Sequence, residues 1–262
     1  MQEPSVQGGP RRIWILTLFP EYFTPLLKTS GVIARALSAE NSTVPIEIEI
    51  IQIRDYAVNR YGSVYDSPFG GAPGMIMRAD VLQRALVEGV LAKEPKELKV
   101  VLLSPRGKRW GATLAHEYAQ GLGGEERSDL AFICGRYEGV DERFISKYVQ
   151  EEISIGDYVL SGGEIALLAV LDSMLRLVPG VLGNSESLQQ ESFNGGLLEP
   201  PQYTRPRTFE GMEVPDVLLS GHHLQMKKYQ EQMSIETTKR YRPDLYEEYE
   251  GAKAKREKES KA

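Results

Sequence analysis

The sequence predicts an α/β protein with a mostly parallel sheet, followed by a small C-terminal helical unit. Three observations carry that expectation. Four short apolar runs have strand length, helix-like segments separate them, and after a polar stretch the pattern turns helical.

Ile13 to Leu18 reads as a buried strand and Glu47 to Ile53 as an alternating one, with a helix over Tyr22 to Ser38 between them and Ser30-Gly31 as its candidate interruption. A helix over Ala79 to Ala92, starting near Asp80, leads to the strand Val100 to Leu103. A helix over Thr113 to Leu122, ending at Gly123-Gly124, leads to the strand Leu130 to Ile133. Glu164 to Val178 is rich in Ala and Leu and closed by Pro179-Gly180, so it reads as a helix that ends a domain. That domain is expected at 11 to 183, behind a leader of residues 1 to 10. Asn, Ser, Glu and Gln dominate from Asn184 to Gly196, which places a linker at 184 to 190 and a second unit at 191 to 250. There Ser220 is a candidate cap for a helix through Thr238, and a second short helix follows Pro243. Residues 251 to 262 are nearly all Lys, Glu, Arg and Ala, expected as a frayed helix or disordered tail.

With 41% apolar and 26% charged residues in 262, the composition is that of a soluble globular protein. The longest apolar run, Ile165 to Leu171, falls far short of the roughly 20 residues a membrane span needs, and no charged-then-apolar leader precedes Ile13. A cytosolic protein without membrane contact is expected. The single cysteine, Cys134, leaves no intramolecular disulfide and no multi-cysteine metal site, and its place at a strand end suits a small packing residue better than a nucleophile. The net charge of −6 is uneven: from residue 198 onward 12 basic residues balance 12 acidic ones, so the acidic excess lies entirely in the larger part and a local basic face can still meet phosphates.

The segment Ile153-Ser-Ile-Gly-Asp-Tyr-Val-Leu-Ser-Gly-Gly-Glu164 interrupts two apolar runs with glycines just before a helix, so the backbone turns tightly beside a ligand. Cys134-Gly-Arg-Tyr-Glu-Gly-Val-Asp-Glu-Arg143 leaves a strand directly, and strand ends are where α/β sheets bind ligands. Gly70-Gly-Ala-Pro-Gly-Met75 and Ser104-Pro-Arg-Gly107 are weaker signals of the same kind, each equally readable as a surface loop. No G-x-G-x-x-G follows the first strand and no phosphate-binding G-x-x-x-x-G-K-[ST] occurs, which removes the usual nucleotide sites. His116, His222 and His223 lack metal-ligand spacing and suit polar or helix-capping roles.

Taken in order, these segments, with Leu-Phe-Pro at 18 to 20, Pro-Gly-Val-Leu-Gly at 179 to 183, Tyr-Thr-Arg-Pro at 203 to 206 and Glu-Gly-Met-Glu-Val-Pro at 210 to 215, resemble the bacterial tRNA (guanine-N1)-methyltransferase family over roughly residues 13 to 250. The resemblance implies a SPOUT-class fold with a deep trefoil knot, a homodimer with active sites between subunits, and methyl transfer from S-adenosylmethionine to N1 of the guanine just 3′ of the tRNA anticodon. It assigns cofactor binding to Leu103, Ser104 and Pro105, to Gly135, Tyr137 and Glu138, and to Ser154, Ile155, Gly156, Tyr158, Leu160, Gly162 and Gly163. It makes Arg176 the stabiliser of charge on guanine O6, whereas the residues alone favour Arg176 as an i,i+4 partner of Asp172. The family's catalytic aspartate is replaced by Glu191 in Gln-Gln-Glu-Ser-Phe, which keeps the carboxylate on an arm longer by one methylene; Asp157 and Asp172 are the other candidate bases.

Arg205, Arg207, Lys227-Lys-Tyr229 and Lys239-Arg-Tyr-Arg242 interleave basic and aromatic residues, which on their own read as solvated helix faces and, with the resemblance, as tRNA contact, although Lys-Lys-Tyr stands where the relatives tend to have Arg-Arg-Trp. The resemblance also suggests dependence on Mg²⁺, near Glu138 or Glu191, but no carboxylate cluster demands it and no metal site is assigned. The rival expectations are a ribose 2′-O-methylating relative, a non-catalytic tRNA-binding protein that lost proton abstraction, and a small-molecule methyltransferase, the last ill-suited to a basic, aromatic helical unit.

Overall fold

The computed structural model describes residues 10–28, 31–38, 44–123, 128–182 and 191–259. Residues 1–9 of the expected leader, the linker 184–190, residues 260–262 of the tail, Ser30 and Gly124 lie outside the described residues. The chain divides into two compact units, Met1–Gly183 and Asn184–Ala262.

The first unit is built on five parallel strands, β1 (Arg11–Thr17), β2 (Ile46–Gln52), β5 (Lys99–Arg109), β6 (Leu130–Cys134) and β7 (Glu151–Ser154), in the order β2-β1-β6-β5-β7. Two further strands, β3 (Tyr65–Asp66) and β4 (Ile76–Met77), pair antiparallel as a small hairpin. Side chains alternate across the sheet, so Ile13 and Ile15 of β1 enter one core while Trp14 and Leu16 enter the other. The first core is closed by α2 (Val32–Ala36), α4 (Ala112–Gly123) and α6 (Gly163–Leu175). The second is closed by α3 (Ala79–Gly89) and α5 (Glu142–Tyr148). Covering both faces is what lets β6, buried at all five positions, be apolar throughout. Each large side chain so buried contributes about 1.5–3 kcal/mol.

Several elements differ from the sequence expectation. The helix over Tyr22 to Ser38 is instead a 3₁₀ turn at Pro20–Tyr22, then α1 (Thr24–Lys28), then α2, because Gly31 is extended at φ −171° and precedes α2 as its cap. The third strand does not end at Leu103. Ser104 to Gly107 loop out, and the chain re-pairs, so that Leu103 and Lys108 both face Ile153. The helix expected to reach Ala92 stops at Gly89 and passes into a 3₁₀ turn, Leu91–Lys93, closed by Glu94 in the left-handed region. Strand β7 and helix α5 were not foreseen: β7 is four residues long and half acidic, and α5 is seven residues long, too short for periodicity to register.

In the second unit a two-stranded ribbon, β8 (Thr208–Phe209) with β9 (Met212–Glu213), precedes α7 (Asp216–Leu219), α8 (His223–Tyr241) and α9 (Pro243–Glu259). Ser220 does not cap α8. It ends α7, donating to the Val217 carbonyl (2.8 Å) and accepting from the His222 amide (3.2 Å), while His222 takes the cap position. Helix α9 runs to Glu259 and is not short, so residues 251–259 continue it.

Candidate cofactor cavity at the strand ends

Three neighbouring strands, β6, β5 and β7, end on the same side of the sheet, and the loops that leave them enclose a cavity of ≈ 560 Å³. Its walls come from Leu103 to Arg106 at the loop-out within β5, Gly135 to Val140 after β6, and Ser154 to Gly156 with Tyr158 to Leu160 at and after the end of β7. Gly162 and Gly163, at the start of α6, close the floor. All thirteen residues expected to hold a cofactor line this one cavity.

Glycine is required at two points. A Cβ on Gly163 would lie 2.9 Å from the Cys134 Cα and 3.1 Å from the Leu103 Cβ, where the α6 start passes over the ends of β5 and β6. Its amide donates to the Gly135 carbonyl at 2.9 Å, fixing that approach. A Cβ on Gly107 would lie 2.3 Å from the Ile153 nitrogen, so no side chain fits where the loop after Leu103 returns to the sheet. On the third wall the Ser154 hydroxyl donates to the Gly156 carbonyl (3.1 Å) and accepts from the Gly156 amide (3.3 Å), holding the turn after β7.

The loop from Gly70 to Met75 lies against the second wall: the Glu138 amide donates to the Met75 carbonyl (3.2 Å) and the Met77 amide to the Gly139 carbonyl (2.9 Å). Gly70, Gly71 and Gly74 all have positive φ, as the glycine density suggested. Tyr65 of β3 meets Tyr137 edge-on, centroids 5.0 Å apart, and burial together with Tyr137 pushes the Tyr65 hydroxyl up to about 12. At the mouth Arg106 bridges Glu152 (2.9 Å) and Glu142 (2.9 Å). Cys134 is buried beneath the floor, and its burial, with Glu164 nearby, holds the thiol well above its usual value. It packs rather than reacts.

Sequence reasoning missed the pair Arg136 and Glu164. Arg136 Nε donates to Glu164 Oε2 at 3.1 Å, and the Thr17 hydroxyl donates to Glu164 Oε1 at 2.9 Å. The signal available was Glu164 itself, a carboxylate opening a mostly apolar helix.

Arg176 lies elsewhere in the first unit, half-buried at the C-terminal cap of α6, thirteen helical residues on from Gly163. Asp157 and Asp172 are exposed. Glu191 belongs to the second unit, at the start of a tight loop. There the Ser192 amide donates to Glu199 Oε1 (3.0 Å) and the Glu199 amide to Ser192 Oγ (3.1 Å). The loop is tied to α8, because the Leu198 amide donates to the Thr238 hydroxyl at 2.8 Å and the Ser234 hydroxyl to the Leu198 carbonyl. Of the residues expected to meet RNA, Arg205, Arg207, Lys227, Lys228, Lys239 and Arg240 are exposed. Arg240 lies 5.0 Å over the Tyr241 ring and Lys239 5.6 Å over that of Tyr246, and Arg207 pairs with Asp216 (3.2 Å).

A parallel sheet with glycine turns folded into one cavity at its carboxyl edge defines an α/β protein with a cavity of the size and place that small organic ligands take. Residues 11–248 match the family model described as tRNA (Guanine-1)-methyltransferase TrmD, and the chain belongs to that family. It is 47% identical to the tRNA (guanine-N(1)-)-methyltransferase of Moorella thermoacetica over 234 residues, 89% of each chain. Proteins of the same name from Clostridium beijerinckii and Brevibacillus brevis are each 46% identical over 90% of this chain, and 92% and 91% of their own.

Proposed function

We propose that this protein transfers the methyl group of S-adenosylmethionine to N1 of the guanine just 3′ of the tRNA anticodon, working in the cytoplasm as a homodimer with a knotted SPOUT-class catalytic domain. The observation that carries the proposal is the convergence of all thirteen expected cofactor residues on one cavity, in a chain of this family. The cavity fits the cofactor: its volume lies in the range of small-molecule sites, and Gly135, Gly156, Gly162 and Gly163 line it without side chains to fill it.

When bound, S-adenosylmethionine supplies a methyl group already activated by its positive sulfonium. The protein must then hold the acceptor in line, remove the N1 proton and stabilise the negative charge that gathers on O6. Glu191 is the base, and its carboxylate needs to come within about 2.6–3.2 Å of N1. Arg176 is the stabiliser, a guanidinium that stays charged at any working pH. Helix α6 supports a dimeric site. Its thirteen residues at about 1.5 Å each put Arg176 about 20 Å from the glycine floor at Gly163, too far to serve the same cavity. The dimer implied by the family resemblance is what would bring Arg176 to the cavity of the partner subunit. The exposed basic and aromatic residues of α8 and its approach hold the tRNA by phosphate contact and stacking. Among the described residues no group of three or more His, Cys, Asp or Glu side chains is placed to hold a metal. No helix among them is long and apolar enough to cross a membrane.

The test is transfer of labelled methyl to unmodified tRNA transcripts carrying guanine or adenine 3′ of the anticodon. Label confined to the guanine transcript, at base N1, is the expected result. Label on a ribose hydroxyl would make the protein a 2′-O-methyltransferase, and binding of both substrates without transfer would make it a non-catalytic tRNA-binding protein.

A further inference from the structure

We propose that Arg136 and Glu164 form a positioning pair that sets the glycine floor of the cavity and so controls affinity for S-adenosylmethionine, independently of tRNA binding. The inference rests on the cofactor assignment above. Glu164 is the second residue of α6, its side chain only 2% exposed, and Arg136 is 15% exposed beside it. Both Glu164 oxygens are engaged, Oε1 by Thr17 and Arg136 and Oε2 by Arg136. The Arg136 guanidinium in turn lies 4.0 Å over the Phe19 ring and 5.8 Å from that of Tyr22. The pair thus joins three segments distant in sequence: the chain leaving β1, the chain leaving β6 and the entry to α6.

The pair also touches the floor directly. A Cβ on Gly162 would lie 2.4 Å from Glu164 Oε2 and 2.7 Å from Arg136 Nε, and Arg136 and Gly162 form an antiparallel backbone bridge. Moving either charge therefore moves the turn. A buried ion pair contributes little stability relative to apolar packing of similar volume, while breaking it leaves an uncompensated charge. A device of that kind is suited to fixing geometry, and the geometry it fixes here is that of the cavity floor.

The test compares wild type, Glu164→Gln and the neutral double variant Arg136→Gln/Glu164→Gln. Calorimetric affinity for S-adenosylhomocysteine, KM for S-adenosylmethionine, tRNA affinity and Tm are measured for each. In Glu164→Gln, cofactor affinity should fall about 10- to 100-fold, the scale on which small misplacements act, with Tm reduced and tRNA affinity unchanged. The double variant removes the uncompensated charge, so Tm should recover while cofactor affinity stays low. Recovery of both together, or wild-type cofactor affinity in Glu164→Gln, would overturn the positioning role. Failure of wild type to bind S-adenosylhomocysteine would overturn the cofactor assignment and this inference with it.

Discussion

Glu191 carries the proposed base on an arm one methylene longer than the family aspartate, yet the two carboxyl types differ in reference acidity by only about 0.4 unit. Reach and angle therefore decide whether it works, and the reciprocal bonds between Ser192 and Glu199 are what hold its backbone to a fixed starting point. Cys134 is the opposite case, a reactive residue type silenced by place. Because burial raises its thiol, the thiolate is scarce near neutral pH; native protein should resist iodoacetamide at pH 8, and protein in denaturant should take up one equivalent, as intact-mass spectrometry would read. Rapid labelling of the native chain would contradict the burial.

Among the elements, the return of β5 to the sheet is the most demanding. Gly107→Ala would force a Cβ into the Glu152–Ile153 backbone, where no rotamer relieves the clash. It should lower Tm and weaken S-adenosylhomocysteine binding together, whereas Gly111→Ala, with open space around its Cβ position, should do neither. The edge strand β7 is fastened by Glu151, which meets Lys99 (2.5 Å), Lys108 (2.6 Å) and the Tyr118 hydroxyl (2.5 Å). Burial pushes its carboxyl up, but Lys108, Lys99 and Tyr118 outweigh that and lower it from 4.5 to about 2. A depressed folded value means stability is present above pH 4.5 and lost as pH falls toward 2. Thermal melts of Glu151→Gln should show lower stability than wild type at pH 7 and a shallower loss across that acid window. Parallel curves would remove Glu151 from the account. The elements legible in the sequence were those buried on both faces: β1 and β6 are apolar runs because two cores claim them. The loop-out of Ser104 to Gly107 was not legible as re-pairing, because what drives it is the backbone of β7, 45 residues further on. The glycine turns announced the cavity, since close backbone approach has a residue-type signature. The Arg136–Glu164 pair had only half of one, the carboxylate opening a mostly apolar helix, since its meeting with an arginine from the loop after β6 depends on the tertiary fold.

The whole molecule divides its tasks between two compact units. The first holds the cavity and Arg176; the second holds Glu191 and the exposed basic residues of α8 and its approach. A net charge of −6 does not prevent tRNA binding, because the acidic excess belongs to the first 197 residues and the second unit presents exposed Lys and Arg. Under the proposed assignment each unit supplies a group that turnover needs, the first Arg176 and the second Glu191, and proton removal is the step assigned to Glu191. Single-turnover methyl transfer to a guanine-bearing tRNA transcript, with wild type and Glu191→Gln at saturating tRNA and S-adenosylmethionine, tests that step most directly. The expected rate loss is about 10²- to 10⁴-fold, the range for a general base, with both substrates bound as tightly as by wild type. A Glu191→Gln rate equal to that of wild type would contradict the assignment and move the base to another carboxylate.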